Sequence, residues 1–289
     1  MTGDRAAPAP DTADPVGAAL AEDIGPGDIT TRATVSRGLH GRATIVARAS
    51  GIVAGLEVAA ETYRRVDPLV EFAPASGDGS FVEPEAVVAV ARGPFAALLT
   101  AERVALNFLQ HLSGIATLTA RFVAAVEGTR ARIVDTRKTT PGLRALEKGA
   151  VRAGGGWNHR IGLYDAYLIK ENHIAGAGGI AAALAAVAVH NREGKPAEIE
   201  VRSIEELALA LAAEPHPDRI LCDNFSLDDL ATAVERIRSR APRVLIEASG
   251  GVNLSNVRAV AEMGVDWISV GALTHSAPAL DLSCRIERS

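Results

Sequence analysis

The chain has 289 residues, 48% of them apolar and 22% charged, which is enough for one large domain or two unequal ones with a substantial core. A formal net charge of −5 argues against nucleic acid as the main partner, since such proteins present a basic face. Two cysteines without paired spacing, Cys222 and Cys284, exclude a disulfide framework or a thiolate metal site and point to a reducing, cytoplasmic setting.

Residues 1–15, rich in Ala, Pro and Asp, read as a disordered lead-in and not as a secretory signal. Residues 16–113 are expected to form a mixed N-terminal α/β domain, which the C-terminal residues 277–289 join. Within it, Gly41 to Gly55 reads as paired strands around a turn at Ala49–Gly51, and Phe81 to Arg92 as a second pair turning near Pro84. From Pro94, apolar residues recur every three or four positions, and Gly114 is expected to divide this run into two helices.

Over 114–276 the texture changes. Short apolar runs recur at 131–135, 165–169, 197–201, 218–222, 243–247 and 265–270, with amphipathic segments such as Ser203 to Ala213 between several of them. This alternation predicts a parallel β/α sheet buried on both faces. The most apolar run, Ile180 to Val189, is too short to span a bilayer and suits a helix packed on that sheet. Each strand leads into polar, charged or glycine residues: Thr136-Arg137-Lys138, Lys170, Glu200, Asp223, Ser249-Gly250-Gly251 and Gly271. In a β/α barrel those carboxyl ends converge on the catalytic face. An open doubly wound sheet is the alternative.

Arg103, Arg137, Lys138, His159, Arg160 and Lys170 together suit a polyanion, because guanidinium forks and ammonium points bind carboxylate and phosphate. Taken singly, each reads equally as a surface charge or an ion-pair partner. The chain holds only four lysines (Lys138, Lys148, Lys170 and Lys195), which favours Lys138 and Lys170 for chemistry. Lys170 ends a strand expected to be buried and so requires an anionic partner. Glu198 and Glu200, two apart in a strand, share one face. Glu200 with Asp223 suits a Mg²⁺ carried by a pyrophosphate, against simple pairing with the basic set. Ser249-Gly250-Gly251 and Val270-Gly271-Ala272 predict backbone amides approaching a phosphate, each aided by the next helix N-terminus; tight turns are the plainer reading. Gly154-Gly155-Gly156 is expected to give a flexible approach to His159 and Arg160. His173 and His275 have no assigned role.

The segment DTRKTTPGLRALEKGAVRAGGGWNHRIGLYDAYLIKENHI (135–174) resembles the signature of quinolinate phosphoribosyltransferase. TAERVALNFLQHLSGIAT (100–117), EIEV (198–201), LCDNF (221–225), EASGGVN (247–253) and ISVGALTHS (268–276) match in order. The resemblance implies an N-terminal α/β sandwich domain and an incomplete β/α barrel, assembled as a homodimer. Arg103 of the neighbouring subunit is then expected to join each site. It assigns Arg137, His159 and Arg160, with Lys138 and Lys170, to the quinolinate carboxylates and nearby phosphates. Glu200 and Asp223 go to the ribose and Mg²⁺–pyrophosphate, and Ser249 to Gly251 with Val270 to Ala272 to the 5′-phosphate. Thr136 accompanies the basic loop. Lys138, Lys170, Glu200 and Asp223 are the expected catalytic groups.

The reaction so implied is decarboxylating phosphoribosyl transfer from phosphoribosyl pyrophosphate to quinolinate, giving nicotinate mononucleotide. Arg202, where an acidic residue is common, and Ala248 depart from the pattern. Two alternatives remain: a phosphoribosyltransferase with another acceptor, or a non-catalytic binder of phosphate ligands.

Overall fold

The structure is a computed structural model that describes residues 14–289. The expected lead-in lies outside the described residues except for its last two. Of these, Asp14 caps the first helix by accepting a bond from the Gly17 amide at 3.0 Å.

In chain order the elements open with α1 (Pro15–Ile24), α2 (Ile29–Thr34), β1 (His40–Ala47), β2 (Gly51–Ile52), α3 (Leu56–Val66) and β3 (Glu71–Pro74). Next come β4 (Phe81–Val82), β5 (Val87–Pro94) and the long α4 (Phe95–Ala125). The alternating half holds β6 (Arg132–Val134), α5 (Arg144–Ala153), β7 (Tyr167–Ile169), α6 (Glu171–Ala177), α7 (Ile180–His190) and β8 (Ala197–Val201). It continues with α8 (Ile204–Ala212), β9 (Arg219–Asp223), α9 (Leu227–Arg240), β10 (Leu245–Ser249), α10 (Val257–Glu262), β11 (Trp267–Ser269) and α11 (Ala272–His275); β12 (Leu282–Arg288) closes the chain.

Two compact units result. The first runs to Gly114 and includes Thr140–Glu147 and Ala279–Ser289; the second holds Ile115–Thr139 and Lys148–Pro278. The first unit is built on an antiparallel sheet in the order β12-β1-β5-β3. In β1 the alternate residues Gly41, Ala43, Ile45 and Ala47 are buried, so one face of the strand feeds a core with Val88, Leu98, Leu109 and Tyr63. Helix α3 starts where the Asp78 carboxylate accepts bonds from the amides of Gly55 and Leu56 at 3.0 and 3.1 Å, covering donors the helix leaves open.

Three local expectations are corrected here. The strands β1 and β2 flank the turn but do not pair: β1 bonds to β12 and β5, while β2 bonds to β4. For the same reason β4 and β5 are not a hairpin. Non-local pairing overrides the local turn in both cases. Helix α4 also runs unbroken through Gly114. Its neighbours Ser113 and Ile115 are fully buried, and that packing outweighs the roughly 1 kcal/mol that glycine costs a helix interior.

The second unit carries six strands in the order β6-β11-β10-β9-β8-β7, every neighbouring pair parallel. Outward residues such as Ile133, Ile199, Ile220, Ile246 and Ile268 are almost completely buried. The edges β6 and β7, consecutive in the chain, are not bonded to each other, so this is an incomplete β/α barrel. Their trailing residues nonetheless meet across one cavity, as a curled sheet requires. No single helix among the described residues is long and apolar enough to cross a membrane.

Candidate active site

The carboxyl ends of all six parallel strands surround a cavity of about 900 Å³, a size suited to a nucleotide-like ligand. Thr136, Arg137 and Lys138 reach it from β6 and Lys170 from β7. Glu200 enters from β8, Asp223 from β9, Ser249 to Gly251 from β10, and Val270 to Ala272 from β11. His159 and Arg160 enter from the segment between α5 and β7. Every expected site residue therefore lines one cavity except Arg103, an exposed residue of α4 in the first unit.

Strand pleat explains this convergence. Residues two apart face the same side, so Glu198 and Glu200 on β8 point inward while Ile199 and Val201 pack outward. Applied to β9 the same rule turns Arg219, Leu221 and Asp223 inward, and on β10 Glu247 and Ser249.

The cationic wall is asymmetric. Arg160 is half-buried, and its hold on its proton is weakened first by burial and then by the like charge of Arg137. Two guanidinium groups kept close enough to repel one another favour an anion shared between them. Lys170 is less buried than expected, with its side chain 43% exposed, because β7 ends before it. The anionic partner it requires is Glu200, whose carboxylate it meets directly. Arg202 approaches the other Glu200 oxygen at 3.6 Å and Glu171 at 2.9 Å. Glu200 thus sits 5% exposed with a cation on each oxygen. Asp223 accepts a bond from the Asn224 side chain at 2.9 Å.

The glycine turns are tightly specified. Gly250 has φ +95°, and a Cβ there would lie 2.2 Å from Asn224 Oδ1, so no side chain fits. At Gly271 a Cβ would come within 3.1 Å of Lys138 and 3.2 Å of His275, bringing the β11 turn against the β6 loop. The helices after these turns differ from expectation. α10 has six residues and begins only at Val257, and α11 has four, so their dipoles add little. Any anion contact here falls to the turn amides themselves.

His159 and Arg160 are not approached flexibly. A Cβ on Gly154 would lie 2.3 Å from the Ala116 carbonyl, and one on Gly156 2.7 Å from Thr119, so these glycines exist to let the loop pack on α4. Beyond them the segment is clamped. Lys148, fully buried, pairs with Asp135 at 2.5 Å and donates to the His159 carbonyl at 3.0 Å. Asp135 in turn accepts from the His159 amide at 2.9 Å and from Asn158 at 2.5 Å. Burial raises the Asp135 pKa, while Lys148 and these bonds oppose the rise. Trp157 stacks under the Arg132 guanidinium, 3.8 Å from its ring centroid.

Under the cavity lies a cluster of buried charges. His159 Nε2 is 3.0 Å from Glu198 and 3.5 Å from Glu247, and Arg219 Nε is 3.3 Å and 3.6 Å from the same two carboxylates. Ser269 donates to Glu247, and the Arg219 guanidinium lies 3.7 Å from the Trp267 ring centroid. Burial by itself would lower the His159 pKa, but Glu198 and Glu247 together hold it up at about 9. Burial and then the charge of Glu247 push Glu198 up to about 7, while His159 and Arg219 hold Glu247 low against its own burial. The three side chains His159, Glu198 and Glu247 are spaced for a metal ion, but Arg219 already places a cation on both carboxylates.

Sequence reasoning missed Lys148, Asp135, Arg219 and Glu247. Two of them were within its reach: stepping back by twos from Asp223 reaches Arg219, and from Ser249 reaches Glu247. Lys148 carried no such signal, since it lies on a helix whose packing the sequence does not reveal. His275 lines the cavity and bonds Ser276 at 2.6 Å, whereas His173 accepts from the Lys170 amide and does not line it.

Models of two domain families match consecutive parts of the chain: the quinolinate phosphoribosyl transferase N-terminal domain over residues 28–113, and the C-terminal domain over 115–285. The nicotinate-nucleotide pyrophosphorylase (carboxylating) of Mycobacterium leprae is 47% identical, over 93% of this chain and 95% of that protein. A probable nicotinate-nucleotide pyrophosphorylase (carboxylating) of Synechocystis is 46% identical, over 93% of this chain and 90% of its own length. Among solved structures, the nicotinate-nucleotide pyrophosphorylase from Francisella tularensis superposes with a TM-score of 0.88 at 41% identity, covering 94% of each chain.

Proposed function

The chain belongs to the quinolinate phosphoribosyl transferase family, and from that premise we propose how its cavity carries out decarboxylating phosphoribosyl transfer to quinolinate in NAD biosynthesis. One observation carries the reading: two repelling guanidiniums, two lysines, two carboxylates and two glycine turns line one cavity, all at strand ends except Arg160.

Arg137 and Arg160 take the two carboxylates of the acceptor, with His159 beneath. Ser249 to Gly251 and the Gly271 turn take the 5′-phosphate through backbone amides. Lys138 and Lys170 lie along the path of the departing pyrophosphate. The C1–oxygen bond of the ribose breaks, its electron pair leaves with pyrophosphate, and the pyridine nitrogen lone pair forms the new bond to C1. The carboxylate next to that nitrogen then leaves as CO₂. Its electron pair stays on the ring carbon, stabilised by the cationic nitrogen, until a proton replaces it. The protein's part is positioning and charge stabilisation.

Glu200 and Asp223 fit Mg²⁺ by their donor chemistry: two carboxylates on neighbouring strands β8 and β9, few enough to leave positions for phosphate oxygens. The ion would offset charge on the leaving pyrophosphate. Polyphosphate binding at Lys170 and Arg202 releases the two cations now on Glu200, freeing it for the ribose hydroxyls or the ion. A homodimer in which Arg103 of each chain completes the other's cavity accounts for an exposed arginine that its own cavity does not use. Two free thiols, Cys222 and Cys284, support a cytoplasmic location.

A substrate panel tests the reading. Pyrophosphate release with quinolinate but not with nicotinate or pyridine-2-carboxylate is expected, because both guanidiniums require a carboxylate. Equal rates with a monocarboxylate would reassign the acceptor.

A further inference from the structure

The four charges below the cavity are a poor device for stability. Glu198 is 1% exposed and Glu247 0%, and both Glu198 oxygens, one Glu247 oxygen and two Arg219 nitrogens have no hydrogen-bond partner among the described residues. They lie at ion-pair distance without the aligned bonds that offset desolvation, and such a cluster gains nothing over apolar packing. Its geometry points elsewhere. His159 and Glu247 form part of the cavity wall, while Glu198 and Arg219 lie behind them.

We infer that Glu198, Arg219 and Glu247 are positioning residues, a buried platform that fixes the His159 imidazole in the floor of the cavity where the acceptor's carboxylates bind. The inference rests on the acceptor reading given above. Three observations carry it. The His159 backbone is already fixed by Asp135 and Lys148, so what remains for the platform is the ring. Nε2 faces Glu198 and Glu247, and Nδ1 lies 2.7 Å from the Arg160 backbone nitrogen, so both ring nitrogens have fixed neighbours. Arg219, whose guanidinium carbon lies 3.7 Å from the Trp267 ring centroid, is beside both carboxylates and offsets one of their two charges. Without it, a dicarboxylate would approach a more negative floor, with His159 as the one cation left beside the two carboxylates.

Glu198→Gln keeps the shape and removes the charge; Arg219→Met keeps the bulk over Trp267 and removes the cation. In the full chain each is expected to raise the quinolinate KM by roughly tenfold, with the phosphoribosyl pyrophosphate KM within about twofold and Tm unchanged or higher. Glu198→Asp, which restores the charge, is expected to recover part of the loss. A quinolinate KM unmoved in both variants, or both KM values raised alike, would overturn the assignment. If Arg219→Met fails to fold, the isosteric Glu198→Gln carries the test alone. The imidazole ¹⁵N resonances of His159 give a readout independent of turnover. They shift in Glu198→Gln if the platform holds the ring, and unshifted resonances overturn the inference whatever the acceptor. A wild-type chain inactive on quinolinate, with those resonances shifting in the variant, would sink the acceptor reading and not the platform.

Discussion

In the proposed mechanism Lys138 and Lys170 stabilise the departing pyrophosphate, and their loss is expected to act on turnover. Lys138→Ala and Lys170→Ala should each lower kcat by about 10²–10³, the scale for removing one group that stabilises developing charge. Steady-state kinetics check this, and a near-normal kcat in either variant removes that lysine from the mechanism. His159 gives a pH signature. Its pKa is held up at about 9 against an ordinary value of 6.5, so its stabilising effect is complete below the ordinary value and disappears as pH rises through the raised one. The Tm gap between wild type and His159→Gln is therefore expected to be widest near about pH 6 and to close by about pH 10. The charged side chains at strand ends were legible in the sequence because pleat and topology send strand ends to one place. Their pairing was not: nothing in the order of residues tells that Glu200 is shared by Lys170 and Arg202, or that Lys170 is half-exposed.

Between residue and molecule, the segment 154–160 shows how one stretch is placed by its packing. Gly154 and Gly156 let it lie on α4, and the buried Lys148–Asp135 pair ties α5 to the end of β6 and to the His159 backbone. Lys148→Met strands Asp135 without its partner and is expected to cost about 3–5 kcal/mol, measured by denaturant unfolding. Gly154→Ala forces a methyl to within 2.3 Å of the Ala116 carbonyl and is expected to cost about 1–3 kcal/mol. If either variant matches the wild type, the clamp is not what holds this segment. The glycine run was visible in the sequence, but its meaning as close packing depends on Ala116 and Thr119, far upstream in α4. The missed pairing of β1, β2, β4 and β5 has the same origin, since turn signals mark where a chain bends and not which strand it meets.

The molecule as a whole divides the work between a sheet-based first unit and a curled parallel sheet whose strand ends form the cavity. The alternation that predicts the second unit survives in the sequence because strands buried on both faces are continuous apolar runs. Arg103 tests the proposed homodimer. Arg103→Ala and Lys170→Ala chains, each defective alone, should on mixing recover about a quarter of wild-type activity, because half the dimers then hold one intact site. No recovery on mixing would confine each site to one chain. Coupling of transfer to decarboxylation is measured by following CO₂ and pyrophosphate together, with quinolinate, phosphoribosyl pyrophosphate and Mg²⁺ supplied. Equal amounts of the two are expected; pyrophosphate without CO₂ would mean that transfer is not coupled to decarboxylation.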